Sequence, residues 1–521
     1  MEELLLSIDA GTQSLRALVF DREGRLLVKK KIEFEPYVPG TPGRAEQDPE
    51  VYWRALQAAC RDLKARRPEL MAAVAGVGIT SQRATMVCLD EAGVPLRPAI
   101  LWLDVRKARP PYHPGLGMRA ALGLVGMNEA VMLTQEEGKC NWIMQNEPGT
   151  WEKTHKYVEV SGFLTHRLTG SFADSTASLI GHLPFDYKRQ AWCKPGALNA
   201  RLFPVPREKL PDPVAPGEVV ARITPEASAA TGIPAGIPLV AAGSDKGCET
   251  IGMGVVDPTK ASLSFGTTAT IQTTSPRYFE PLRFMPAYPA PIPGRFNPEV
   301  EIFRGYWMIT WFKHQFAYEE VREAEARGIV PEAMLDELLR RTPAGGHGLV
   351  MQPYWTPMFK MPSAKGAIIG FGDVHDRAHV YRAIIEGLAY GLKDGLRAME
   401  RAGRSKVTEL AVSGGASQSD EICRITADVF NLPLFRGATY ETSGLGAAMV
   451  VAAGLGIHPS VEAAVKAMAR RDRVFAPDPA RAELYDKLYS RVYKKMYGAL
   501  APLYEEIRDI TNYPERLGRA D

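Results

Sequence analysis

No apolar run of the roughly 18 residues that a membrane span needs occurs in the chain. The richest stretch, GLGAAMVVAAGLGI at 444–457, is short and built on Gly and Ala. Charge of one sign is lacking as well. Lys and Arg number 63 against 60 Asp and Glu, a net +3, which is too small to argue for a nucleic acid or membrane partner. The opening MEELLLSID is acidic and has no basic region ahead of an apolar core, so no signal peptide is expected. Cysteine is scarce: Cys60, Cys88, Cys140, Cys193, Cys248 and Cys423 are scattered, and no CxxC pair excludes the common zinc and redox motifs. Free thiols in a reducing cytoplasm are expected. Two familiar nucleotide loops are also missing. There is no G-x-x-x-x-G-K-[ST] loop, and no G-x-G-x-x-G joins the first strand to a helix. The second absence sets aside a Rossmann dehydrogenase.

What is present is a chain of 521 residues, 45% hydrophobic and 24% charged. That is ordinary globular composition at a length too great for one core. Leu4–Ile8 and Leu15–Phe20 read as strands joined by the Asp9–Ser14 loop, and a turn at 21–24 leads into a third strand at 25–31. Asp48 and Pro49 predict the N-cap and first position of a helix, with Trp53, Leu56, Cys60 and Leu63 on one face. Ala75–Thr80 is a short buried strand that ends in Ser81-Gln82-Arg83. A further apolar run, PLVAAGSDKG at 238–247, ends in Asp245.

The pattern then repeats. ASLSFGTTATIQ at 261–272 echoes LSIDAGTQSLRAL near the start: strand, Gly-Thr, strand. The two Gly-Thr bends, at Gly11 and Gly266, lie about half a chain apart, which suggests two halves of similar architecture. Downstream, Val380, Ile384, Leu388, Leu392 and Leu396 predict a long helix. Val407–Val412 predicts a strand, Gly414-Gly415 a turn into a further helix, and the tyrosines from Tyr485 to Tyr497 a core-facing stripe on the last helix.

Asp9 and the glycine turns carry open questions. A strand that ends in a lone carboxylate is costly unless the charge has a partner, so Asp9 is either a turn residue or faces a cation. A Gly-Thr bend offers backbone N–H groups, hydroxyls and an approach that no Cβ blocks, the chemistry that cradles phosphate. Gly414-Gly415 before a helix N-terminus could add a flat surface for a nucleotide and a dipole facing anions.

These motifs carry a resemblance. LSIDAGTQSLRALVFD, AEQDP, GITSQR, ILWLDVR, AAGSDKGCETIGMG, SFGTTATI, GAIIGFGDVHDRAHVYRAIIEG and VSGGASQSDEICRITADVF stand in the order seen in the FGGY family of carbohydrate kinases, which includes glycerol kinase, xylulokinase, ribulokinase and gluconokinase. The likeness runs over about residues 4 to 500. KCNWIMQN resembles one family signature, with Glu136 in place of a small residue; the stretch ending in RAIIEG resembles the other, with Phe371 in place of an aliphatic residue.

The resemblance implies an α/β fold of two actin-like, ribonuclease H-like ATPase domains with the active-site cleft between them. The sugar-binding domain would occupy 1–252 and the ATP-binding domain 253–521. It implies ATP and Mg²⁺ as cofactors, a small-molecule sugar, polyol or sugar acid as substrate, a cytoplasmic location, and allows a homodimer. Asp9 would orient Mg²⁺. Gly11, Thr12, Gln13, Ser14 and Arg16 would meet the polyphosphate, with Gly266, Thr267 and Thr268 as a second phosphate loop. Gly414, Gly415 and Ser419 would form the adenosine pocket. Asp245 would be the general base for the attacking hydroxyl. Gln82, Arg83, Trp102, Asp104, Asp245 and Lys246 would face the sugar, Asp104 either binding hydroxyls or pairing with Arg106.

The pocket departs from both well-known substrates. Glycerol kinases carry Arg-Glu where this chain has Arg83-Ala84, and their pocket tyrosine aligns with Thr134. Xylulokinases carry Met-His at 83–84. Glycerol and D-xylulose are therefore not the expected best substrates. A glycerol kinase is the nearest rival within the class, and an actin- or chaperone-like ATPase switch the rival outside it. Turnover that stays low until sugar is added separates the last two.

Overall fold

The structure, a computed structural model, describes residues 3–35, 43–124, 127–356, 361 and 363–513. The chain packs into two compact units. The first holds residues up to Gly254 together with 288–297 and 441–469. The second holds 255–287, 298–440 and 470 onward.

In the first unit β1 (Leu4–Ala10), β2 (Ser14–Phe20) and β3 (Leu26–Glu33) form the antiparallel meander that the strand–turn–strand pattern predicts. β4 (Val74–Ser81) pairs parallel with β1, β6 (Pro238–Ser244) pairs parallel with β4, and β5 (Val219–Arg222) closes the sheet antiparallel to β6. The spatial order is β5-β6-β4-β1-β2-β3. All seven residues of β1 are buried, because both sheet faces are covered and a continuous apolar run is what such a strand requires. β3 alternates half-buried and exposed positions, as an edge strand with one wet face must.

The helix Glu50–Arg66 covers one face. It starts one position later than expected, with Pro49 rather than Asp48 at the N-cap, and Asp48 Oδ1 accepts the Glu50 N–H from just outside at 3.0 Å. The buried stripe is Tyr52, Ala55, Leu56, Ala59, Cys60 and Leu63. Trp53, expected on that face, is only half-buried; the helix is rotated so that Tyr52 points inward. The helix Thr442–Gly454 packs against the helix Asp245–Gly252 in the same unit. A Cβ on Gly446 would lie 1.9 Å from the Cys248 carbonyl oxygen, and one on Gly252 2.0 Å from that of Thr442. Glycines at this crossing are therefore what let the Asp245 helix sit where it does.

The second unit repeats the plan. β7 (Lys260–Phe265), β8 (Ala269–Gln272) and β9 (Glu299–Ile302) form a meander, β10 (Glu409–Ser413) and β11 (Leu434–Gly437) add parallel strands, and β12 (Arg471–Phe475) closes antiparallel. The order β9-β8-β7-β10-β11-β12 has the same sequence of antiparallel and parallel pairings as the first sheet. Each unit is thus a mixed α/β domain of the ribonuclease H-like kind, and the Gly-Thr echo marks the same bend in both. The long helix Arg377–Gly403 runs through the core of this unit. Tyr485, Tyr489 and Tyr493 are buried against Tyr390, so the aromatic stripe is core. No helix among the described residues is long and apolar enough to cross a membrane.

Candidate active site

The three parallel strands of the first unit deliver their chemistry at one edge. Register puts Asp9 beside Thr80, and Thr80 beside Gly243. One step further, Ala10, Ser81 and Ser244 align, and past them come Gly11, Gln82 and Asp245. Carboxyl ends of parallel strands are where open α/β sheets hold ligands.

Asp9 is buried, 6% exposed. Arg16, its cross-strand partner, donates from Nη1 to Oδ2 at 2.9 Å. Burial pushes the Asp9 carboxyl up from 3.8 to about 6. Arg16 opposes the shift, and Asp245 and Glu441 add to it. Arg16 also lies 3.7 Å from Glu441, so two acids hold it. Asp245 opens its helix directly after the N-cap Ser244. Its Oδ1 accepts the Lys246 N–H at 2.7 Å. Burial raises its carboxyl above the ordinary range, against Arg83 and Lys246. Asp9 Oδ1 and Asp245 Oδ2 take no hydrogen bond among the described residues. One oxygen of each acid is left for a ligand, and the two burdens of burial would be relieved by a cation. An all-oxygen donor set of this kind suits Mg²⁺, although no cluster of three ligating side chains forms among the described residues.

Around the acids runs a hydrogen-bonded chain. Trp102 Nε1 donates to Thr12 Oγ1 at 2.9 Å, and Thr12 donates to Gln82 Oε1 at 2.9 Å. Gln82 Nε2 donates to the Tyr52 hydroxyl at 2.7 Å. Arg83 donates to Ser244 Oγ at 3.2 Å, stands 3.9 Å from Asp245 Oδ1, and lies 5.2 Å over the Tyr288 ring. Gln82, Arg83, Trp102, Asp9, Thr12 and Asp245 are therefore brought together. Gly11 shapes the bend, its N–H donating to the Ser14 carbonyl at 2.9 Å; Ser14 is buried and Gln13 exposed.

Two expected residues are drawn elsewhere. Asp104 is fully enclosed, held in two arms by Arg106 at 2.7 Å each, with the Ala45 N–H as a third contact. This is the structural ion pair, and its carboxylate has no surface to offer a sugar. Lys246 reaches Glu249 at 2.9 Å along its own helix.

In the second unit Gly266-Thr267-Thr268 makes the β7–β8 bend, with Thr267 exposed and Thr268 donating to the Phe303 carbonyl at 3.2 Å. Gly414 follows β10 with φ +88°, and a Cβ there would lie 2.7 Å from the Phe265 backbone, so the turn requires glycine. Gly415 is exposed with open space at its Cβ position. The expectation of an open helix N-terminus here is corrected. A 3₁₀ turn, Gly415–Gln418, intervenes. Ser419 caps the helix Asp420–Phe430 through the Ile422 N–H and donates to Asp336, while Asp420 and Glu421 fill the first turn. The dipole is already satisfied from within, and Ser419 is spent on the cap.

Tyr52, Ser244 and Tyr288 contact Gln82 and Arg83, and the sequence reading does not single them out. Tyr52 carried a signal, one position from the helix face that was read. Tyr288 carried none: it reaches Arg83 from a Pro-rich stretch remote in sequence.

A two-domain α/β fold with duplicated topology, carboxylates at parallel strand ends and Gly-Thr bends is common to the actin-like ATPases and the two-domain sugar kinases. The FGGY carbohydrate kinase N-terminal domain model matches residues 4–252 and the C-terminal domain model 261–455. The chain belongs to the FGGY family of carbohydrate kinases. It is 30% identical to the uncharacterized sugar kinase YgcE of Escherichia coli (strain K12), over 95% of this chain and 93% of that one. It is 27% identical to a xylulose kinase of Lactococcus lactis, over 95% and 96%. A gluconate kinase from Lactobacillus acidophilus shares its fold, with a TM-score of 0.82 at 21% identity over 97% of this chain and all of that one. The protein is thus a carbohydrate kinase that uses ATP to phosphorylate a hydroxyl of a sugar or polyol.

Proposed function

We propose that Asp245 is the general base of this transfer and that Asp9 is the metal-orienting acid, acting on a substrate held by Gln82, Arg83 and Trp102. The observation that carries the reading is the presence of two half-committed carboxylates at the same ends of two parallel strands that flank β4, beside an arginine fork and an amide. Phosphoryl transfer asks for little else from the protein: a proton acceptor, positioning and charge stabilisation.

Asp245 takes the proton of the attacking hydroxyl at its uncommitted oxygen. Arg83 orients neighbouring substrate oxygens, and the stacked Tyr288 face keeps its guanidinium from swinging free. Bound Mg²⁺, held by Asp9 through its free oxygen and waters, would neutralise charge on the phosphates. The first unit, with 1–252 as its frame, binds the sugar; 253–521 supplies the ATP loops at Gly266–Thr268 and Gly414-Gly415. Gly11–Ser14 and Arg16 add phosphate contacts. All six cysteines are unbridged, which supports a cytoplasmic setting.

The test is coupled ADP release against a panel of polyols, ketoses and sugar acids, run on the wild type and on Asp245→Asn. A substrate that raises ADP release in the first and not in the second supports the reading. Equal turnover in both removes Asp245.

A further inference from the structure

The helix Thr442–Gly454 lies against the first sheet at the strand that carries Asp9. Register sets Ser7 opposite Leu18 and Asp9 opposite Arg16, and it sets Leu18 opposite Lys29 on β3. Side chains alternate along a strand, so these five residues share one face of the sheet. The helix meets that face. Ser7 Oγ donates to the Gly444 carbonyl at 2.7 Å, and a Cβ on Gly444 would lie 2.8 Å from Leu18 Cδ1. Glycine is what permits so close an approach. Glu441, directly ahead of the helix, is thereby set down beside Arg16 and Lys29.

Glu441 occupies the N-cap position, yet its side chain makes no cap hydrogen bond. The carboxylate is turned to the sheet instead. Its Oε1 accepts from Lys29 Nζ at 2.7 Å, and its Oε2 lies 3.7 Å from Arg16 Nε. Arg16 therefore stands between two acids, with Nη1 on Asp9 Oδ2 at 2.9 Å. The Arg16 side chain is 35% exposed, so contacts at its head rather than packing hold it in place. A guanidinium is planar, and anchors at Nε and Nη1 fix both its plane and the direction of its remaining donors. With Glu441 gone, Arg16 would be free to close on Asp9 with both arms, the favoured geometry of an arginine–carboxylate pair. It would then cover the Asp9 oxygen that now takes no hydrogen bond.

We infer that Glu441 is a positioning residue for nucleotide binding: it holds Arg16 back from full engagement with Asp9, so that Arg16 keeps donors for the phosphates and Asp9 keeps an oxygen for the cation. Glu441 acts through Arg16, and its own carboxylate stays with Arg16 and Lys29. The inference deepens the reading that sets Arg16 at the phosphates and Asp9 at the metal, and it rests on that reading.

The test is a double-mutant cycle on the full chain, read by calorimetric titration with ATP at fixed Mg²⁺ and with Mg²⁺ at fixed ATP. Wild type, Glu441→Gln, Arg16→Gln and the double variant are compared after thermal melts. Glu441→Gln is expected to weaken ATP binding in the presence of Mg²⁺ by roughly tenfold, the weight of one charged contact. Glu441→Asp, which keeps the charge one methylene short, is the second variant and is expected to lose part of that affinity. The double variant is expected to bind no more weakly than Arg16→Gln alone, because a residue that acts through another adds nothing once the other is gone. Lys29→Met breaks the exposed ion pair on the other Glu441 oxygen and is expected to shift ATP binding by no more than about twofold. Wild-type affinity in Glu441→Gln overturns the inference, as do additive losses in the double variant or a Lys29→Met loss equal to that of Glu441→Gln. Wild-type affinity in Arg16→Gln overturns the placing of Arg16 at the phosphates and this inference with it.

Discussion

Asp9 and Arg16 face each other across the first hairpin as register partners, 2.9 Å apart. The arginine does not neutralise the acid, since burial still carries its pKa to about 6. The site therefore keeps a carboxylate that a stronger cation would favour in its charged form.

Asp9→Asn follows from this. In the wild type the folded pKa is raised above the unfolded 3.8, so the native state prefers the protonated acid. Stability is then highest below pH 4 for this group, and falls as pH rises from there to about 6. The loss is about 3 kcal/mol. The variant is expected to lack this fall, melting relatively better than wild type above pH 6 while losing turnover and apparent Mg²⁺ affinity together. A turn residue would show lower stability and an unchanged Mg²⁺ titration.

For Asp245→Asn, kcat is expected to drop by roughly 10²–10⁴ with little change in ATP affinity. The amide keeps the Lys246 N–H contact through its oxygen but cannot take the proton. Steady-state rates and nucleotide titration read the two effects separately.

Arg83→Ala is expected to raise sugar KM strongly and ATP KM little. Tyr288→Ala removes the ring under the guanidinium, an interaction of about 0.5–1 kcal/mol, together with its edge contact to Tyr187. Its sugar KM should rise a few-fold, and Tyr288→Phe should restore it. A Tyr288→Ala enzyme with wild-type KM would disconnect Tyr288 from the site.

Asp104→Ala breaks a fully enclosed pair and leaves buried Arg106 with Glu46, at 2.8 Å, as its remaining carboxylate. A loss of about 1–3 kcal/mol in unfolding free energy is expected, with sugar KM unchanged in the protein that remains folded. Denaturant melts and kinetics on one preparation decide between the structural role and a substrate contact.

Gly414 and Gly415 should separate in the same way. Gly414→Ala meets the Phe265 backbone at positive φ and is expected to destabilise by more than about 1 kcal/mol. Gly415→Ala meets nothing. It should fold normally and raise KM for ATP alone if nucleotide lies against that turn.

Much of this was legible from residue order. The seven buried residues of β1 read as an apolar run, the Gly-Thr bends marked both meanders, and Asp9 and Asp245 stood out as acids ending such runs. Local chemistry suffices there, because strand burial and turn geometry are written within a few residues. Trp53 shows the limit: a stripe of 3.6-residue period is broad enough to be read one position off, and Tyr52 was the inward residue.

By itself the sequence determined two repeated α/β halves, the acids and the loops, since each depends on neighbours along the chain. Only the tertiary structure decided which polar side chains are free to act. Asp104 is consumed by Arg106 and Ser419 by a helix cap, while Tyr288 reaches Arg83 from a remote segment. A buried charge acts according to which partners packing leaves it, and packing joins residues that no local pattern connects.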